Sequence, residues 1–164
     1  MPYICTICGE THTDLPHLGT PAPYGWAKEL ANDPASLLTK DLCIIEGRDF
    51  FVHGIIEIPV HGYEHEFGWG VWVTHKKENF EKYRDNFDSP DIGPFFGWLS
   101  SEIEYFQEST LNLKTRVHYR GGGLRPRIEV EPTEHPLAVQ QRNGISLDEA
   151  WKIVHFCEAR NKRS

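Results

Sequence analysis

The chain reads as an α+β domain built from roughly five mostly antiparallel strands and four or five helices. Three observations point there. Residues 41–74 carry apolar runs rich in β-branched and aromatic residues, separated by short polar turns. Their connections are too short for parallel crossovers, so they form an antiparallel meander. Residues 76–87 and 95–106 then place apolar residues at helical spacing. The chain has 164 residues, with 39% apolar, 12% aromatic and 25% charged residues, which suits one globular domain spanning 1–164.

Each element follows in order. Residues 24–31 predict a short helix, stopped by Asn32-Asp33-Pro34, because proline turns the preceding residue away from helical angles. Residues 41–46 predict a strand carrying Cys43, Ile44 and Ile45. Residues 50–58 predict a second strand, ended by Pro59, and residues 66–74 a third. In the third, Trp69, Val71 and Val73 share one face and Trp72 takes the other, so both faces are apolar and the strand is central. Trp72 and Trp98 are both expected in the core, the alternative being a partly exposed Trp72 or Trp98 that lines a ligand groove. Phe80, Tyr83 and Phe87 line one face of a helix over 76–87. Phe95, Leu99, Ile103 and Phe106 line one face of another over 95–106. Two further strands, 112–120 and 124–131, flank the hairpin loop Gly121-Gly122-Gly123, and Pro126 places the second at an edge. Pro136 opens a helix that Asn143-Gly144 caps. Ser146-Leu147-Asp148-Glu149 is a capping box at the start of the last helix.

The strongest chemical motif is Cys5-Thr6-Ile7-Cys8-Gly9-Glu10-Thr11-His12. Two cysteines at this spacing can place both sulfurs on one tetrahedral zinc ion, and His12 can add a nitrogen. Cys43 is the best distant fourth ligand, and Cys157 reads as core. His17 could replace His12, and Asp41 could replace Cys43. Cys5, Cys8, His12 and Cys43 would fill all four positions. The metal would then be structural and would pin an N-terminal arm, residues 3–17, to the sheet. The alternative is surface thiols at Cys5 and Cys8 with Cys43 buried as a small apolar residue.

Two other groups carry weaker signals. His53, Glu57, His61 and His65 cluster in sequence around the second and third strands, and could serve a metal-assisted hydrolase. Arg120, Arg125 and Arg127 concentrate positive charge beside the glycine hairpin and could hold a carboxylate, a phosphate or a partner. Cross-strand pairing with Glu129 and Glu131 is the structural alternative. The formal net charge is −7. That argues against general nucleic-acid binding and would suit a protein partner with a basic surface. No targeting segment or membrane-spanning run is visible, so a cytoplasmic address is expected.

These motifs together resemble a known family. The carriers are the Cys-x-x-Cys-Gly-x-x-His opening, Asp41-Leu42-Cys43-Ile44-Ile45, Gly54-Ile55-Ile56-Glu57-Ile58-Pro59 and Phe67-Gly68-Trp69-Gly70-Val71-Trp72-Val73. Asn79-Phe80, Phe96-Gly97-Trp98-Leu99, Arg125-Pro126 and His135-Pro136-Leu137-Ala138 complete the set. The ordered set is similar to the bacterial domain-of-unknown-function family numbered 2199, over about residues 3–156. The chain departs from that pattern at Gln140, where an acidic residue is expected, and at His53, where arginine is expected. The resemblance implies a small bacterial single-domain protein and no particular reaction. The reading it joins is a zinc-stabilised, non-enzymatic binding or accessory module.

Overall fold

The computed structural model describes residues 3–4, 11–12 and 15–161. Its elements, in chain order, begin with strands β1 (Tyr3–Ile4), β2 (Thr11–His12) and β3 (Leu18–Gly19). A 3-10 turn (Lys28–Asn32) leads to β4 (Leu37–Leu38), β5 (Leu42–Ile45), β6 (Asp49–Ile58), β7 (Val60–His61) and β8 (Phe67–His75). Then come helix α1 (Lys77–Asp85) and strands β9 (Phe95–Trp98), β10 (Lys114–His118) and β11 (Arg127–Val130). Helix α2 (Pro136–Asn143), β12 (Ile145–Ser146) and α3 (Leu147–Asn161) finish the chain.

The predicted meander is present. β5, β6 and β8 pair antiparallel, with Cys43 opposite Phe51 and Val52 opposite Val73. The principal sheet is larger than expected: eight strands, with the path β3-β8-β6-β11-β10-β9 and β4-β5 attached to β6. β6 makes this possible because its ten residues offer one edge to two partners. Its first half pairs with β5, and Ile55 further along pairs in parallel with Arg127 of β11. Gly54 lies between them, and a side chain there would run into Ile128 and the Pro126 carbonyl.

The sheet then curls until its β9 end meets β8. Leu99, just past β9, bridges Val73 of β8, and Ser100 N–H donates to the Trp72 carbonyl at 2.8 Å. Residues facing inward, among them Val52, Ile56, Val71, Val73, Val117 and Ile128, form the main core, which α1, α2 and α3 close. A second, smaller core lies on the outer face. There Cys43, Ile45, Phe51 and Trp72 sit under Trp26, Leu30 and Leu38.

Three α-helices are found among the described residues, where four or five were expected. The first shortfall is at 24–31, where only the 3-10 turn at Lys28–Asn32 forms. The second is at 95–106. There Phe95–Trp98 is a strand, and a loop follows. Phe95, Leu99, Ile103 and Phe106 do join the main core, so their spacing reported burial and misreported the backbone. Gly97 explains the choice. A glycine inside a helix costs about 1 kcal/mol relative to alanine. Here it lets β9 lie against β8, since a Cβ at Gly97 would stand 2.5 Å from the Thr74 carbonyl oxygen.

Two smaller expectations are also corrected. Pro126 precedes β11, which is not an edge strand but lies between β6 and β10; the Pro126 carbonyl accepts from Ile55 N–H. The capping box is half formed. Ser146 Oγ accepts from Glu149 N–H at 3.0 Å, but the Glu149 carboxylate accepts from the Tyr105 hydroxyl.

Candidate functional site on the outer face

The side chains with chemical potential lie mainly on the outer face of the sheet. Alternation along β6 sends Val52 and Ile56 inward, and His53 and Glu57 outward. His53 is 91% buried and stacks on Trp72, with ring centroids 4.6 Å apart and planes 9° from parallel. Its Nδ1–H donates to the Lys40 carbonyl at 2.9 Å, which leaves the lone pair on Nε2. Nε2 has no partner among the described residues. Burial lowers the pKa of His53, and the Arg125 charge adds to that against the Lys40 hydrogen bond and Asp41.

Arg120 and Arg125 hold the glycine hairpin against the sheet. Arg120 Nη1 donates to Glu57 at 2.8 Å, and its Nε donates to the Arg125 carbonyl. Arg125 Nε donates to Asp41 at 3.2 Å. All four charged groups are half-buried. Their partners are therefore not Glu129 and Glu131, as a local cross-strand reading expected. Arg127 lies on β11 opposite His118. Glu129 accepts from His118 at 2.8 Å, and that bond holds its carboxyl below the usual range.

The predicted His/Glu group does not gather. His53 is near Lys40, whereas His61 sits on β7 and its Nε2–H donates to the Asn143 carbonyl. His65 is exposed in the following loop, edge-on to Tyr63. Instead, His53 and Arg125 line one shallow cleft of about 650 Å³ with Pro21, Leu38, Thr39 and Lys40. Lys40 gave no signal in the sequence, because an isolated surface lysine has no pattern.

Cys43 is fully buried in the outer apolar core, and burial pushes its thiol up to about 12. The expected ligands Cys5 and Cys8 lie outside the described residues, as does the His12 side chain. The backbone of β1 and β2 is described, and Tyr3 pairs with His12 and Ile4 with Thr11. The stretch carrying both cysteines thus connects two paired strands. Among the described residues no group of three or more His, Cys, Asp or Glu side chains is placed to hold a metal.

Further round the sheet, the outer face of β9, β10 and β11 is open. Phe96 is 45% exposed and Trp98 42%, so Trp98 is not the core residue its neighbours suggested. Their rings meet edge to face at 5.0 Å. Arg116 lies directly opposite Phe96, and Lys114 opposite Trp98. Among the described residues, no helix is long and apolar enough to cross a membrane.

No curated protein and no solved structure matches the chain. A family described as an uncharacterized protein conserved in bacteria, DUF2199, matches over residues 4–145, from the cysteine arm through the whole sheet. The chain belongs to that family.

Proposed function

We propose that the protein is a non-enzymatic, zinc-stabilised binding module that recognises another protein through the open face of β9 and β10. The observation that carries this reading is the exposed Phe96–Trp98 pair, which a monomer would otherwise have reason to bury. Aromatic anchors with a polar rim are the usual anatomy of a protein–protein hot spot. The rim here is Lys114 and Arg116, each directly across from an aromatic residue. The perpendicular rings and the nearby Glu129 carboxylate suit stacked bases and phosphates poorly.

The net charge of −7 suggested a partner with a basic surface. This face carries the opposite local sign at its rim. The partner it fits presents apolar groups to Phe96 and Trp98, and carboxylates to Lys114 and Arg116. In this reading zinc holds the N-terminal arm through Cys5, Cys8 and His12, with Cys43 as fourth donor. The support is the Cys-x-x-Cys spacing and the strand pair that brackets it. The metal contributes folding energy and leaves no open position for substrate.

A photo-crosslinking residue placed at Phe96 or at Lys152, an exposed position on α3, tests the surface in the bacterial cell. A discrete protein adduct is expected from position 96 and not from 152. The purified partner should then bind Trp98→Ala at least tenfold more weakly, while the melting temperature of the variant is unchanged. Equal adducts from both positions, or no effect of Trp98→Ala on affinity, would overturn the assignment.

A further inference from the structure

We propose that the cleft bounded by Lys40, His53 and Arg125 binds a small oxyanion, a phosphate or carboxylate group borne on an apolar carrier. The inference is independent of the partner surface on β9 and β10. Three features of the cleft support it.

The first is its charge. Lys40 is exposed, and no ion pair reaches it among the described residues. Arg125 uses Nε on Asp41, so the outer end of its guanidinium has donors left over. Two cations against one carboxylate leave the cleft with a positive charge, on a chain whose net charge is −7. A guanidinium fork and an ammonium are the usual pair for an oxyanion.

The second is its rigidity. The Lys40 carbonyl is held by His53 Nδ1–H, and the Asp41 carbonyl by His53 N–H at 2.9 Å. Thr39 Oγ1 accepts from the Leu42 N–H at 2.9 Å and fixes the turn on the other side. Lys40 is therefore mounted on a backbone that does not have to be ordered when the ligand arrives, and the Arg125 carbonyl is held by Arg120 Nε.

The third is its walls. Pro21 and Leu38 supply apolar surface next to the cations. His53, nine-tenths buried, forms part of the same wall. An inorganic ion would use the cations alone, while an oxyanion on an apolar carrier would use the walls as well.

The full chain, labelled with nitrogen-15, would be titrated with phenyl phosphate, benzoate and phenol, following backbone amides and the His53 ring. Saturable shifts at Lys40, Asp41 and Arg125 are expected with one or both anions and not with phenol. Response to phenyl phosphate alone assigns a phosphomonoester, and response to benzoate alone a carboxylate. Bound anion should also raise the His53 titration midpoint, because it offsets the Arg125 charge. Lys40→Gln should weaken binding at least tenfold. It breaks no hydrogen bond or ion pair of the exposed Lys40 side chain among the described residues, so it reads binding even if Arg125→Gln unfolds the hairpin. Phenol binding as well as the anions, no saturable shift with either anion, or unchanged affinity in Lys40→Gln would each overturn the proposal.

Discussion

His75 is held neutral by its surroundings. Its Nδ1–H donates to the Thr74 carbonyl at 2.7 Å, and its Nε2 accepts from the Tyr119 hydroxyl. Burial lowers its pKa from 6.5 to about 4. The unfolded chain therefore binds a proton on this ring at a higher pH than the folded chain does. Stability from His75 is complete above about pH 6.5 and is lost as pH falls toward 4, by on the order of 3 kcal/mol. The melting temperature should fall across that window, and His75→Gln should flatten the fall while lowering stability at pH 7. A wild-type curve that is level between pH 6.5 and 4 would contradict the burial argument. His53 has the same sign, with burial as its main cause, so it adds to the acid sensitivity.

At the scale of elements, the junction of β6 with β11 depends on Gly54. A Cβ there would come within 2.6 Å of Ile128 Cδ1 and 2.8 Å of the Pro126 carbonyl oxygen. The carbonyl is backbone and cannot rotate away. Gly54→Ala should therefore destabilise the fold by about 2 kcal/mol in chemical denaturation, an overpacking cost. A variant of wild-type stability would mean that β11 lies further from β6. The strands of the meander were legible because short turns and branched residues leave few alternatives. The 95–106 segment was not, because apolar residues four apart suit a helix and also suit a strand that passes into a buried loop. β3 and β4 have two residues each, too few to show any period. The candidate cleft was half legible. His53 and Arg125 stood out as residue types. Their meeting, and the Arg120–Glu57 and Arg125–Asp41 pairs, depend on partners 63 and 84 residues apart in sequence, which no local pattern encodes.

At the scale of the molecule, the curled sheet spends its inner face on one core and its outer face on two different tasks. Under β4 and the 3-10 turn, the outer face is a second apolar core holding Cys43 and Trp72. Over β9 and β10 it is left open, with Phe96 and Trp98 displayed. The aromatic residues that the composition counts so heavily therefore divide between core and surface. In the proposed function, a metal stabilises this molecule so that its open face can bind. The most direct test is zinc content, measured by mass spectrometry on the purified full chain and on Cys5→Ser/Cys8→Ser, with Cys43→Ser alongside. One zinc per chain is expected, lost in the double variant together with a fall in melting temperature, and lost or weakened in Cys43→Ser. Wild-type protein free of zinc after purification without chelators, or zinc retained in full by the double variant, would contradict it.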